Sequence, residues 1–347
     1  MSVIDDPSST VESANPANPA NPATPASPAT PGLFARLPRL ARSPRVPRPP
    51  RPPRRPPAPP RVASEMTRGE ALARSIVATF LLLVMMFVLN VTVFSHLQHL
   101  ASQQRLEDDI RAQLAAGTAP VSEGTFENVL LADGAPVAIM DIPRLKFHEV
   151  VVEGTASAQT ALGVGHRRDT VLPGQVGESV LMARAAAFGG PFSAIAALDP
   201  GDEITVRTGQ GLQRFEVLGT RYAGDPTPPR LAQGESRLTL QTARGVPYVP
   251  TGIVYVDARL VSQVQPAGAR QTNAGTLAPS DKAMATDART VWALVFAVQF
   301  LIVVEIAGVW SFRRFGAQKT WIVFLPVAAL SGFLVADQLT RLLPNLL

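Results

Sequence analysis

The chain has 347 residues, of which 46% are hydrophobic and 17% charged, a balance that fits a protein lying partly in lipid. It contains no cysteine, which excludes disulfide bonds, thiolate metal sites and a cysteine nucleophile. The net charge of +5 is uneven, because residues 1–74 hold eleven arginines against five acidic residues and the rest of the chain sums to −1; the basic character therefore belongs to the tail and predicts no nucleic-acid partner.

Residues 1–70 are predicted to be a disordered cytoplasmic tail. Proline stands at every third position from residue 16 to residue 31, and prolines alternate with arginines between residues 36 and 61. Such a segment favours polyproline II and cannot form a core. Its basic half could lie on anionic lipid headgroups or offer proline-rich motifs to a partner, but a solvated tail that fixes topology is the simpler interpretation.

Three apolar stretches are predicted to cross a membrane. The first, residues 71–95, contains 21 consecutive uncharged residues and lies too far from the N-terminus for a cleaved signal peptide, so we interpret it as an uncleaved signal anchor. The second and third are residues 290–312 and 320–339. A basic loop at residues 313–319 separates them.

Charge predicts the orientation of these spans. Arginines crowd before the first span, so the positive-inside rule places the N-terminus in the cytoplasm. Three crossings then put residues 96–289 outside, the loop that holds Arg313, Arg314 and Lys319 inside, and residues 340–347 outside as a short C-terminal segment. The sequence therefore predicts a multi-pass protein of the cell membrane with an extracellular domain.

Two carboxylates fall in or beside the last two spans. Glu305 lies within the second span, and Asp337 lies at the end of the third. A carboxylate at membrane depth is costly and indicates a function by default. However, Glu305 is close enough to the cytoplasmic side to reach Arg313, and Asp337 is at the outer interface, so interfacial or helix-pairing roles are the simpler interpretation.

The segment between the first two spans changes to a β pattern. Residues 96–135 are predicted to be a stalk helix and linker, and residues 136–262 consist of short β-rich runs separated by Gly, Pro and Asp turns. Alternating apolar and polar positions predict a mainly β fold, a closed barrel with short helices. A flexible linker rich in Ala, Gly, Thr and Gln is expected at residues 263–289. The candidate strands are residues 137–142, 150–152, 179–182, 203–208, 213–220, 237–241 and 252–258, with a more helical stretch at 188–198.

No motif for a nucleotide or metal cofactor is present in the sequence. The P-loop, the dinucleotide fingerprint and the zinc-protease motif are all missing. The histidines are too scattered to indicate a metal site. We therefore expect no cofactor and no metal. The four histidines are His96, His99, His148 and His166.

Several motifs in the predicted barrel follow one another in a recognisable order. They are A-L-G-V-G-H at 161–166, T-V-L-P-G-Q-V-G at 170–177, S-V-L-M at 179–182, G-G-P-F at 189–192, L-D-P-G-D-E-I at 198–204 and R-L-T-L-Q-T at 237–242. Together they resemble the sortase family, with a pattern similar to that of the housekeeping-type sortases of actinobacteria and other Gram-positive bacteria. The resemblance implies a closed barrel that receives an extracytoplasmic peptide.

The same resemblance implies that the catalytic residues are lost. Sortases use a cysteine thiolate as nucleophile, a histidine to protonate the leaving amine and an arginine to steady the oxyanion. The matching positions here are Arg184 for the histidine, Ala243 for the cysteine and Gly252 for the arginine, or Thr251 if the register slips by one residue. Alanine offers no nucleophile, and arginine cannot transfer protons near neutral pH. The sequence therefore favours a degenerate sortase without transpeptidase activity.

Other residues could contribute to a peptide groove. Thr242 and Ser179 are the nearest hydroxyls and His166 is the nearest imidazole. A threonine needs an adjacent base, however, and a strand threonine with a loop histidine is the simpler interpretation.

Arg184 and Arg244 would flank the former active site and favour an acidic or carboxylate-bearing ligand, unless they are surface arginines on a decayed site. Tyr222 and Tyr248 are candidate wall residues, although packing is the commoner role of a lone tyrosine.

Three functions remain open from the sequence. The first is a sortase-like pseudoenzyme that binds or scaffolds an extracytoplasmic polypeptide or a cell-envelope complex. The second is an accessory subunit of an envelope transporter or secretion system, with other membrane proteins bound through the second and third spans. The third is an active transpeptidase or hydrolase that uses non-standard residues. The missing nucleophile favours the first.

Overall fold

The structure, a computed structural model, describes residues 68–125, 127, 129–287 and 291–347. The predicted disordered tail at residues 1–70 lies outside this range, except for its last three residues, which begin the first helix. The helices are α1 (Arg68–Leu89), α2 (Ser95–Ala116), α3 (Ser157–Leu162), α4 (Val291–Phe315) and α5 (Ala317–Arg341).

Three helical segments are long and apolar enough to cross a membrane, as the sequence predicts. The first is a continuous rod, because a π-helical turn at Asn90–Phe94 joins α1 to α2 without a break. The second and third are α4 and α5, which meet at Gly316 and pack against each other. Helix α5 also packs against α1. The apolar helices therefore form one group beside the β domain.

Within the described residues, eight strands close into a single barrel in the order β1-β2-β3-β4-β7-β8-β6-β5. The β2–β3 and β4–β7 pairs are parallel and the other neighbours antiparallel. The predicted mainly β closed barrel with short helices is confirmed. The strands are β1 (Pro136–Ile142), β2 (Phe147–Glu153), β3 (Val164–His166), β4 (Gly177–Met182), β5 (Glu203–Thr208), β6 (Gly211–Tyr222), β7 (Ser236–Val246) and β8 (Val249–Leu260).

The barrel interior follows from the period of two along each strand. In β5, Ile204, Val206 and Thr208 are buried while the residues between them are more exposed, because successive side chains of a strand point to opposite faces. Phe192 and Ile195, from the segment after β4, join the same apolar core. This core fixes the ends of β4, β7 and β8, where the candidate site lies.

The structure differs from the sequence-based expectation in two local elements. The glycine-rich motif at residues 161–166 predicts a loop, but its last three residues form strand β3. Val164 pairs with β2 and His166 with β4. The stretch 188–198 contains only a short 3-10 turn at Ile195–Ala197. Its apolar residues enter the barrel core instead of lining one face of a longer helix.

The predicted stalk helix packs along the barrel rather than projecting from it. Ile110 of α2 is fully buried in an apolar cluster with Ile139 and Val150 of the first two strands. Gln103 accepts a hydrogen bond from Val150 N at 2.8 Å and donates to Leu162 O at 2.8 Å. Apolar packing and side-chain amide bonds therefore hold the rod and the barrel together.

Residues 263–287 were expected to be a flexible linker, but they also lie against the barrel. Gln265 N donates to Gly174 O at 2.8 Å, and Val176 N donates to Gln265 O at 3.0 Å. Further along, Thr272 Oγ1 donates to Arg168 O at 2.7 Å. The composition of this stretch predicts flexibility, because the residues that hold it in place lie about a hundred positions away in the chain and leave no local signal.

Candidate peptide-binding groove

The positions that the family resemblance assigns to catalysis lie at one end of the barrel. Strands β4 and β7 pair in parallel as far as Met182 and Gln241. Arg184, just beyond the end of β4, and Ala243, which continues in β7 and pairs with β8, therefore lie at the same end of the barrel. Gly252 lies on β8, the other neighbour of β7. The fold therefore brings together positions that are up to 68 residues apart in the sequence.

A segment from the end of the third apolar helix occupies this place. Residues 342–347 follow α5, and Leu346 is fully buried in an apolar cluster with Val180, Met182 and Ala243. Ala185 N donates a hydrogen bond to Leu346 O at 2.9 Å, and Ala187 N donates to Leu347 O at 3.2 Å. We call this place the groove, and define it by residues 184–187, Ala243 and the cluster around Leu346.

Arg184 is the buried polar group of the groove. It has no exposed surface, and its Nη1 donates to Pro344 O and Leu347 O, both at 3.3 Å. Its Nη2 donates to Ser157 O at 3.0 Å and to Ser157 Oγ at 2.6 Å. Burial lowers the pKa of Arg184 to about 9. A guanidinium buried in this way is stable only when oxygen acceptors surround it, and residues 344 and 347 supply two of them.

The loop that carries Arg184 is fixed against helix α2. Arg184 lies 4.9 Å from the ring centre of Phe188, and Phe188 N donates to Ser95 Oγ at 3.2 Å. Gly189 has a φ of +80°, and a Cβ there would lie 2.9 Å from His96 Nδ1. A glycine is therefore required for the loop to approach the helix this closely.

Asn345 attaches the segment to a second wall of the groove. Its side chain is fully buried, and Nδ2 donates to Thr155 O at 2.7 Å and to Lys282 O at 2.9 Å. Its backbone N donates to Ala285 O at 2.9 Å. The turn at residues 282–285, part of the stretch expected to be a flexible linker, therefore closes the groove over the segment.

Comparison with known proteins agrees with the fold and the motifs. Residues 140–261 match the family model of the sortase domain. These residues form a sortase domain. No curated protein matches the sequence.

Solved structures similar to this chain are also sortases. Sortase E from Streptomyces avermitilis is 28% identical, with 39% of this chain and 93% of that chain covered and a TM-score of 0.33. Sortase D5 from Clostridium perfringens is 19% identical, with 47% and 99% covered and a TM-score of 0.38. Sortase E1 from Streptomyces coelicolor, solved with a tripeptide in the active site, is 23% identical, with 38% and 91% covered and a TM-score of 0.32.

The sortase domain lacks a thiol, because the chain contains no cysteine. Thr242 and His166, two of the candidate substitutes, each bond to other partners. Thr242 Oγ1 donates to Ala183 O at 2.8 Å. His166 has Glu153 at 2.9 Å from Nδ1 and donates from Nε2 to Val171 O at 2.9 Å. Both ring nitrogens of His166 thus face oxygen acceptors, so the structure does not bring this histidine to Thr242 as a base.

Two other candidates lie on the rim of the sortase domain. Arg244 is exposed, and its guanidinium stacks on Tyr222 at 4.2 Å instead of entering the groove. Tyr248 lies in the β7–β8 turn with a φ of +66°, and its hydroxyl donates to Val91 O of the helical rod at 3.4 Å. Burial raises the pKa of Tyr248. Of the two arginines expected to flank the site, only Arg184 therefore points to the bound segment.

The carboxylates in the spans differ in their surroundings. Asp337 accepts hydrogen bonds from Arg341 at 2.9 Å and from Gln98 at 3.3 Å, and so ties α5 to α2. Glu305 lines an apolar cavity between α1, α4 and α5, and Arg313 lines the same cavity. Among the described residues, no cluster of His, Asp or Glu could hold a metal ion.

Three residues of the groove were not found from the sequence: Ser157, Asn345 and Leu346. Ser157 falls inside a short helix that no motif marks. The other two were expected to belong to a short external C-terminal segment. The run L-L-P-N-L-L at residues 342–347 is too apolar for a solvated tail and too short for a span, and this was the one available signal.

Proposed function

We propose that this chain is a membrane-anchored, sortase-like pseudoenzyme that holds an extracytoplasmic polypeptide without cutting it. The supporting observation is the segment at residues 343–347, which lies in the groove with its carbonyl groups bonded to Arg184 and to two backbone N–H groups. A groove that binds a chain through its backbone needs no catalytic group. Ala243 stands beside the bound Leu346 and has no nucleophilic atom.

The groups around the groove favour holding over cleavage. Sortase chemistry needs a thiolate to attack a peptide carbonyl and a second group to protonate the leaving amine. Here the charged group beside the bound carbonyls is an arginine, which can donate hydrogen bonds but has no proton-transfer role near neutral pH. The Thr242 hydroxyl already donates to the backbone.

We propose the topology in which the N-terminus is cytoplasmic and the sortase domain is extracellular, in a cell membrane of Gram-positive, actinobacterial type. Arginines precede the first span, and Arg313 and Arg314 end the second. Two contacts support an end of α5 on the same side of the membrane as the barrel. Asn90 Nδ2 of the rod donates to Thr340 Oγ1 at 2.9 Å, and Ser157 Oγ of the barrel domain donates to Arg341 O at 2.7 Å. The rod and the end of α5 thus approach the same groove.

A transpeptidation assay tests the absence of cleavage. The full chain in lipid nanodiscs is incubated with a sorting-signal peptide and an amine acceptor, and products are identified by mass spectrometry. We expect the peptide to be recovered intact. Turnover that is lost in Thr242→Ala and kept in the matched control Thr227→Ala, an exposed threonine in the loop between β6 and β7, would establish the third function, an active enzyme with non-standard residues.

A capture experiment tests the holding function itself. Full chain with an affinity tag is recovered from envelope membranes after cross-linking, and bound polypeptides are compared between the wild type and Arg244→Ala and Tyr248→Ala, which alter the rim of the sortase domain. We expect a secreted or envelope polypeptide whose recovery depends on the sortase domain. Partners that are recovered equally well when the barrel is replaced by an unrelated domain would contradict the proposal.

One observation favours a second candidate, an accessory subunit of an envelope transporter or secretion system. Glu305 lines a cavity of about 390 Å³ among apolar side chains of three helices. A carboxylate there is costly unless a partner compensates its charge. Recovery of a membrane protein by the wild type but not by Glu305→Gln would support this function. Equal recovery by the wild type and by Glu305→Gln would contradict a role of the Glu305 cavity in assembly.

A further inference from the structure

We propose that residues 343–347 are a built-in ligand of the groove, which must leave before an external peptide of the same chemistry can bind there. This proposal rests on the proposed peptide-holding function. The ligand class is a short segment of the type proline–asparagine–leucine that folds into a tight turn, in which Leu347 N donates to Pro344 O at 3.0 Å. Its backbone carbonyl oxygens on either side of the asparagine accept hydrogen bonds from the groove. The three features of this class each meet a distinct part of the groove.

The leucine of the segment enters an apolar pocket. Leu346 has no exposed surface and contacts a cluster that joins β4 and β7. Side chains from β8 and from the turn at residues 283–284 close the pocket. A polar side chain at this position would lose its hydration without gaining a partner. The pocket is lined by Val180, Met182, Ala185, Ala243, Ile253, Ala283 and Met284.

The asparagine is read by two carbonyl oxygens from different parts of the chain. Thr155 O and Lys282 O both accept from Asn345 Nδ2, and they require a side chain that offers two N–H donors. An aspartate in the same place would direct a carboxylate oxygen at two carbonyl oxygens, so the site discriminates between the two. The preference for asparagine over aspartate is strong, because aspartate would leave both buried carbonyl oxygens without a hydrogen-bond donor.

The backbone of the segment is bound by groups that would remain if it left. Arg184 donates to Pro344 O and Leu347 O, and the N–H groups of Ala185 and Ala187 donate to the last two carbonyl groups. These four bonds depend on the main chain and not on side-chain identity. An external peptide can form all four of these bonds once the segment has left.

Position along the chain makes the built-in ligand a strong competitor. The segment starts directly after α5, whose last turn is tied to the rod by Thr340 and Asn90 and to α3 by Ser157 and Arg341. A ligand attached by so short a tether acts at an effective concentration on the order of millimolar. An external copy of the same peptide therefore binds the full chain only at about that concentration.

The experiment measures binding of a labelled peptide Leu-Pro-Asn-Leu-Leu by fluorescence anisotropy. The full chain and a variant that lacks residues 343–347 are compared in nanodiscs, with a peptide of scrambled order as the control probe. We expect the shortened chain to bind the peptide at least about tenfold more tightly than the full chain, and to bind the scrambled peptide no better than the full chain does. Equal affinity of both chains for the two peptides would overturn the proposal.

A second variant covers the case in which the shortened chain does not fold. Leu346→Asp keeps the length of the chain but places a charge in the apolar pocket, and we expect it to release the segment and bind the probe peptide more tightly than the wild type. If the folded variant binds no better, the built-in ligand is disproved. The proposed holding function would still stand if envelope polypeptides are recovered through the sortase domain, so the two failures are distinguishable.

Discussion

Arg184 Nη2 donates hydrogen bonds to both the carbonyl and the hydroxyl oxygen of Ser157, at 3.0 and 2.6 Å. One side of the buried guanidinium is therefore fixed to the first residue of α3, and the other side is left to face the segment that follows α5. The same hydroxyl donates to Arg341 O at 2.7 Å, with Leu343 O also at 3.0 Å. Ser157 thus connects the sortase domain, the buried arginine and the third apolar helix.

Removing this hydroxyl should loosen the groove. Ser157→Ala leaves one buried N–H of Arg184 without a partner and removes the donor to Arg341 O at the end of α5, a loss of about 1–3 kcal/mol in the free energy of unfolding. The thermal midpoint of the full chain in detergent measures the effect. Ser193→Ala, an exposed serine in the nearby loop, is the matched control and should change nothing. A loss of the same size in both variants would contradict this role of Ser157.

Shortening the buried leucine should open the groove locally. Leu346→Ala removes a fully buried side chain, which costs about 2–5 kcal/mol in a rigid core, but the loss cannot exceed the free energy that holds the segment in place. We therefore expect faster hydrogen exchange at the amides of Ala185 and Ala187, by about 30-fold or more, with the rest of the barrel unchanged.

The exposed Leu212 provides the control for that experiment. Leu212→Ala should leave the exchange of the Ala185 and Ala187 amides as it is in the wild type. Uniform acceleration over the whole barrel in Leu346→Ala would instead show that this leucine belongs to the global core, and that the segment does not open on its own.

The contact between α2 and the barrel should depend on pH. Hydrogen bonds with Asp141 and then Glu107 raise the pKa of His148 above its ordinary value of 6.5. A histidine whose folded pKa is raised contributes stability that is complete below the unfolded value and is lost as pH rises through the folded one. The wild type should therefore lose stability relative to His148→Gln as pH rises from about 6 upward, measured as the difference in thermal midpoint. A difference that is constant with pH, or that grows as pH rises, would contradict this.

The sequence predicted the barrel well because its strands carry local signals. Residues 203–208 were predicted and observed as a strand with the same bounds, because the alternation of apolar and polar residues and the flanking turn residues are local features of the sequence. Strand β3 was missed because three residues carry too little pattern, and its identity depends on pairing with β2 and β4.

The groove could be located in the sequence only in part. The motifs predict that Arg184 and Ala243 lie near each other, and in the structure both lie beside residues 346–347. What Arg184 binds could not be read, since its partners at residues 344 and 347 lie 160 and 163 positions away. The direction in which the Arg244 side chain points could not be predicted either, because the stacking of Arg244 on Tyr222 is a contact between side chains of different strands.

The central claim is that Ala243, the position that the family resemblance assigns to the nucleophile, is covered by residues 343–347, and the absence of cysteine makes it directly measurable. Ala243→Cys gives the full chain a single thiol at a position that is 8% exposed, and Val246→Cys gives one at a position that is 66% exposed. The rate of maleimide modification in native membranes is compared between these two chains, and again after residues 343–347 are removed. The account predicts slow modification at position 243 in the full chain and a rate close to that at position 246 in the shortened chain. Rapid modification at position 243 in the full chain would contradict it.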